Sequence, residues 1–210
     1  MASGSLQRER FTFTPREVLM HLSEILLDSK LARNPYEIHR YLWRLFAGMS
    51  EDKRSFLYRV SYGKDNEPLR ILMQSLYEPS ATDNIKGCGI LRKKVFNPAL
   101  KEKDRLRFVL CANPTKRLAK ERCRVPLIDE EQLIAWIQKK LEYAATFENV
   151  EITDNRNLYF RKNGKAGKIV TTTFEGLLTV SDPALMHTAL LQGIGPAKAF
   201  GCGLMLVRRA

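Results

Sequence analysis

Asp129-Glu130-Glu131-Gln132-Leu133-Ile134-Ala135-Trp136-Ile137-Gln138-Lys139-Lys140-Leu141 is the clearest helix in the chain. Acid fills its first turn and base its last, as the helix dipole prefers. Leu133, Trp136, Ile137, Leu141 and Ala144 recur at helical spacing and form one buried stripe. Downstream, Asn157 to Phe160 and Lys168 to Val180 read as a hairpin, with Arg161 to Gly167 as its turn. Asp182-Pro183 opens a short helix to Leu191, and Leu204 to Val207 is a last strand. Upstream, Arg122 to Leu127 supplies a strand. The order is then βαββαβ, the ferredoxin-like arrangement.

The first half follows the same plan. His21 to Leu27 reads as a strand. Asn34-Pro35 starts a helix, with Asn as N-cap and Pro at the first helical position; it runs to Phe46, with Gly48 just beyond. Phe56 to Tyr62 and Leu69 to Leu76 are strands joined by a turn at Lys64-Asp65-Asn66-Glu67-Pro68. The basic stretch from Lys86 to Lys103 has no clear assignment, and Arg105 to Ala112 closes this half as a strand. The expected fold class is α+β: two tandem ferredoxin-like domains, residues 20–115 and 116–210, the first with a degraded second helix. The hinge falls at Asn113-Pro114-Thr115-Lys116, and residues 1–19 read as an extension or cloning remnant.

The 210 residues carry a formal net charge of +12, and the basic surplus is shared by both halves. Such a field favours polyanions and points to nucleic acid. No apolar run is long enough to span a bilayer, and no secretory signal opens the chain, so a cytoplasmic location is expected. Cys88, Cys111, Cys123 and Cys202 form no CxxC pair and have no His at metal spacing, so neither a metal nor another cofactor is expected.

Near the C-terminus, Gln192-Gly193-Ile194-Gly195-Pro196-Ala197-Lys198-Ala199-Phe200-Gly201-Cys202-Gly203 is a glycine-rich loop. It fits neither the P-loop nor the dinucleotide fingerprint, because no Ser or Thr follows Lys198 and no second half of a βαβ unit follows the loop. Two readings stand: exposed N–H groups cradling a phosphate, or a turn that packs a helix closely against a strand.

Chemistry concentrates on the first helix. Ile38, Leu42, Leu45 and Phe46 face the core, while Tyr36, His39, Arg40 and Trp43 fall on the neighbouring flank, with Arg44 at its edge. A histidine can exchange a proton near neutral pH, and a cation stabilises charge building on a phosphorane; together they suit RNA cleavage without a metal. A packed or half-exposed histidine is the plainer alternative. His21 and His187 have no such companions. Arg161, Lys162, Lys165 and Lys168 cluster around two glycines with no acid between Arg156 and Phe174, as a hairpin that binds phosphates would.

In order, Pro35 to Phe46, Ala112 to Lys116, Arg122 to Leu127, Gly164 to Lys168, Phe174 to Leu178 and Gly193 to Leu204 carry a resemblance to a known family. The chain resembles the CasE subunits of Cascade, the endoribonucleases that process CRISPR RNA in type I-E systems. The resemblance implies two ferredoxin-like domains. It also implies cleavage at the 3′ base of a repeat stem-loop by the upstream 2′-hydroxyl, leaving a 2′,3′-cyclic phosphate and a 5′-hydroxyl. It makes His39 the proton-transfer residue, Tyr36 its assistant at the 2′-hydroxyl and Arg44 a catalytic cation. RNA contacts are expected from Arg40, Lys116, Arg161, Lys162, Lys165, Lys168, Gly193, Gly195, Lys198, Gly201 and Gly203. The expected partners are the repeat RNA and other Cascade subunits, with no membrane and no small-molecule substrate. A non-catalytic RNA-binding subunit of the same fold is the rival.

Overall fold

The computed structural model describes residues 19–46, 55–62, 67–80, 86–118, 123–162 and 164–210. Nearly all of the expected extension over 1–19, the helix stop at Gly48, most of the turn at 64–68 and Asn163 lie outside the described residues.

Two four-stranded antiparallel sheets form the frame. The first contains β1 (Met20–Leu27), β2 (Phe56–Ser61), β3 (Leu69–Ser75) and β4 (Cys88–Phe96) in the order β2-β3-β1-β4. One helix, α1 (Pro35–Trp43), packs on it through Ile38, Leu42 and Trp43 against Ile25, Leu27, Phe56, Tyr58, Ile71 and Met73. The second sheet contains β5 (Arg105–Ala112), β8 (Ala145–Lys162), β9 (Lys165–Val180) and β10 (Met205–Arg209) in the order β10-β5-β9-β8. Helices α2 (Glu130–Leu141) and α3 (Pro183–Gln192) cover its inner face, with Leu133, Ile137, Met186 and Leu190 on Leu106, Phe108, Phe174 and Leu178. In each sheet the first and third strands of the unit are central and the second and fourth lie at the edges. These are two ferredoxin-like units, and among the described residues no helix lies between β3 and β4 of the first.

Three assignments differ from the sequence reading. The strand Arg105–Ala112 does not close the first sheet; it lies between β10 and β9 and opens the second unit. The change of sheet therefore falls between Phe96 and Arg105, ahead of the expected hinge. Among the described residues, Arg124–Pro126 (β7) pairs only with Thr115–Arg117 (β6), as a separate two-stranded ribbon. The fourth strand of the first sheet comes from the unassigned basic stretch. β4 is an edge strand, exposed along most of its length, so burial imposes no alternation that periodicity could reveal. Across the sheet, Glu24 joins Arg92 of β4 to Arg70 of β3, and both cations hold its carboxyl below the usual carboxylate range.

The hairpin is also longer than expected. Pairing runs from Ala145 opposite Val180 to Lys162 opposite Lys165, so most of the expected turn at 161–167 is strand. Gly167 lies opposite Phe160, where a Cβ would come 2.3 Å from the ring. The aromatic ring occupies the space that the missing side chain leaves.

Candidate functional site

Both units meet at the start of α1. The Asn34 side chain caps the helix by accepting from the Tyr36 N–H at 3.3 Å. The same Oδ1 accepts the Arg161 N–H at 3.2 Å, and Asn34 Nδ2 donates to the Arg161 carbonyl at 2.7 Å. Arg161 lies on β8, the edge strand of the second sheet, whose outward backbone groups need partners. One side chain of the first unit thus docks the tip of the basic hairpin.

The aromatic residues complete the junction. Lys162 Nζ sits over the Tyr36 ring, 5.0 Å from its centroid. Tyr36 also faces Phe200, with centroids 6.2 Å apart, and Phe200 packs on Phe160 at 4.5 Å. One turn along α1, half-buried His39 stands within an aromatic group. Its ring lies 6.0 Å from Trp43, 5.4 Å from Phe56 and 6.5 Å from Tyr58. The imidazole is half-buried with its Nε2 shielded from solvent, and Tyr36 precedes it by three residues on the same helix.

The structure brings Tyr36 and Lys162 together, leaves His39 one helical turn along in its own aromatic group, and separates others. Trp43, expected on the exposed flank, is buried at 8% exposure against Phe56. Arg40 and Arg44 line a shallow groove with Glu37 and Tyr41. Arg40 pairs with Glu37 at 3.0 Å, and Arg44 lies over the Tyr41 ring at 5.7 Å. Arg161, Lys165 and Lys168 are exposed on the hairpin, with Lys168 over Tyr159. Lys116 is exposed on the separate β6–β7 ribbon.

The glycine loop is tied inward, which favours the packing reading over the phosphate cradle. The Gly193 N–H donates to Ala189, the Gly201 N–H to Lys198 and the Gly203 N–H to Cys111, at 2.9, 3.3 and 2.8 Å. Lys198 Nζ donates to the Gln192 carbonyl at 2.6 Å. Gly193 sits against Leu57 of the first unit, and Gly195 against Trp136. Tyr58 fixes the loop further by donating to the Ala199 carbonyl at 2.7 Å. The loop therefore carries Phe200 to Tyr36.

Asn34's second role, Phe160, Phe200 and Tyr58 were missed as site residues. Aromatics next to cations, in Tyr159-Phe160-Arg161-Lys162 and Lys198-Ala199-Phe200, were the available signal. Among the described residues no group of His, Cys, Asp and Glu is placed to hold a metal ion, and no helix is long and apolar enough to cross a membrane.

Comparison with known proteins agrees with this architecture. Residues 16–209 match the family described as CRISPR associated protein. The Cascade subunit CasE of Escherichia coli K12 is 37% identical over 89% of this chain and 98% of its own length. The CRISPR-associated endoribonuclease Cse3 of Thermus thermophilus is 35% identical over 90% of this chain and 99% of its own. The solved structure of Thermus thermophilus Cse3 bound to an RNA representing a pre-cleavage complex superposes with a TM-score of 0.81. It is 33% identical, and the match covers 90% of this chain and 98% of that one. With a family match over nearly the whole chain and two tandem ferredoxin-like units around a shared basic junction, this chain belongs to the CRISPR-associated CasE/Cse3 family.

Proposed function

We propose that this chain is the endoribonuclease that cuts CRISPR repeat RNA in the cytoplasm and stays with its product as a subunit of Cascade. The observation that carries the reading is the junction itself: the Asn34–Arg161 link sets a basic hairpin on Tyr36, one helical turn from His39. The hairpin cations Arg161, Lys162, Lys165 and Lys168 hold the phosphates of a stem, with Lys116 extending the basic surface. His39 exchanges the proton and Tyr36 orients the 2′-hydroxyl. That oxygen attacks the adjacent phosphorus, and the 5′-oxygen leaves with a proton. The products are a 2′,3′-cyclic phosphate and a 5′-hydroxyl. Lys162, 5.0 Å from the Tyr36 ring, takes the charge-stabilising place expected of Arg44. Arg40 and Arg44, in the groove they share with Glu37 and Tyr41, hold backbone phosphates. The glycine loop positions Phe200. The free thiols of Cys88, Cys111, Cys123 and Cys202 suit a reducing compartment.

The test is incubation of the chain with a repeat stem-loop RNA in EDTA. One cut at the 3′ base of the stem is expected, ending in a cyclic phosphate, and a single 2′-deoxy nucleotide at the cut abolishes it. His39→Ala loses cleavage by about 100-fold or more while retaining RNA binding. Tight binding without cleavage by the unaltered chain would establish the rival reading, a binding subunit without catalysis.

A further inference from the structure

A second concavity adjoins the junction. It is a cleft of about 250 Å³ between the β2 edge of the first sheet and the open face of the second. Phe200 forms a wall of it and also faces Tyr36, so cleft and junction share one ring. Arg59, Arg156, Asp154 and Cys111 are among the residues that line it. Resting on the nuclease reading above, we propose that this cleft holds one nucleotide of the single strand that leaves the stem at the cut.

Charge, chemistry and distance agree. Arg156 is ion-paired with Asp154, whereas half-buried Arg59 has no carboxylate partner among the described residues. The cleft therefore carries two guanidinium groups against one carboxylate, and Arg59, which also faces the Cys111 thiol, is the one left to meet a phosphodiester. Tyr62 also lines the cleft and keeps 43% of its surface exposed, leaving a ring face for a base. Along β8 the cleft residue Arg156 lies four positions from Phe160, about 13 Å at strand rise. A few nucleotides cross that gap. The hairpin grips the stem, Tyr36 and His39 face the cut, and the strand beyond it runs past Phe200.

Cys111, at the edge of this cleft, reports its occupancy. A non-cleavable RNA, carrying a 2′-deoxy nucleotide at the cut, is made as the bare stem-loop and with a single-stranded flank. Iodoacetamide labelling of Cys111 is followed by peptide mass spectrometry at pH 8. The flanked RNA is expected to slow Cys111 labelling at least five-fold, and the bare stem-loop to leave it unchanged. Arg59→Ala is expected to weaken binding of the flanked RNA about ten-fold, the loss of one charge-assisted contact. Affinity for the bare stem-loop stays as it was, which also shows that the variant folds. Flanked RNA that binds fully without slowing the labelling, or a bare stem-loop that slows it equally, overturns the cleft proposal. Failure of both RNAs to bind overturns the nuclease reading instead.

Discussion

Asn34 and Arg161 stand 127 positions apart and hold each other through two hydrogen bonds, of 2.7 and 3.2 Å. Because Asn34 also caps α1, its two duties can be separated. Asn34→Ser keeps a good cap but cannot span to the hairpin, whereas Asn34→Ala loses both. The serine variant is expected to melt within a degree or two of the parent and to cleave RNA about ten-fold more slowly. The alanine variant loses a further ~1 kcal/mol of stability. Equal cleavage by parent and serine variant would show that the link does not position the hairpin.

Glycine substitutions test the docking of the loop. Gly193 has φ +74°, and a Cβ there would meet Leu57 Cδ2 at 2.7 Å and the Gly203 carbonyl at 3.0 Å. Gly164 has φ +75° with open space around it. Gly164→Ala therefore costs only the left-handed backbone term, about 1–2 kcal/mol. Gly193→Ala adds a clash between the two units, and a clearly larger fall in melting temperature is expected by calorimetry. A similar fall for both would mean that the loop gives way.

Tyr36 is placed by its ring and is proposed to act through its hydroxyl. Tyr36→Phe keeps the contacts with Phe200 and Lys162 and removes only the phenol oxygen. A ten- to hundred-fold loss in single-turnover cleavage is expected, with RNA affinity unchanged. Undiminished cleavage would restrict Tyr36 to a packing role.

His187 makes stability pH-dependent. It is 6% exposed on α3, its Nε2 has no hydrogen-bond partner among the described residues, and burial lowers its pKa from the ordinary value. The unfolded chain therefore binds this proton at higher pH than the folded one. The contribution to stability is complete above about pH 6.5 and is lost as pH falls toward the lowered folded value. His187→Leu is expected to flatten the denaturation midpoint between pH 7 and 5. An unchanged slope would assign the acid sensitivity to other groups.

The Cys111 thiol is pulled down to about 7 by a hydrogen bond with Cys202, and Arg59 and the hydroxyls of Thr173 and Thr171 act in the same direction against burial. Burial instead pushes Cys88 up. Iodoacetamide should therefore alkylate Cys111 with a rate midpoint near pH 7, while Cys88 stays slow at pH 8. A Cys111 midpoint at the ordinary thiol value would rule out this environment.

Where burial was one-sided, the fold could be read from the residues. The α2 stripe, the Asn34 cap and the strands of β1 to β3 carry their periodicity openly. The edge strand β4 hides because most of it faces solvent, and β5 was misplaced because strand pattern says nothing about which sheet accepts it. At the site, α1 displayed Tyr36 and His39 through helical spacing. Phe200 and Asn34's second duty depend on contacts across 127 positions or more, which no local pattern encodes.

The ring that faces Tyr36 belongs to residue 200, 164 positions further along the chain. During synthesis the ribosome releases α1 long before it makes that ring. A nascent chain thus carries Tyr36 and His39 before the wall that completes their surroundings. A copy cut short before residue 200 is expected to keep the helix and lack that wall.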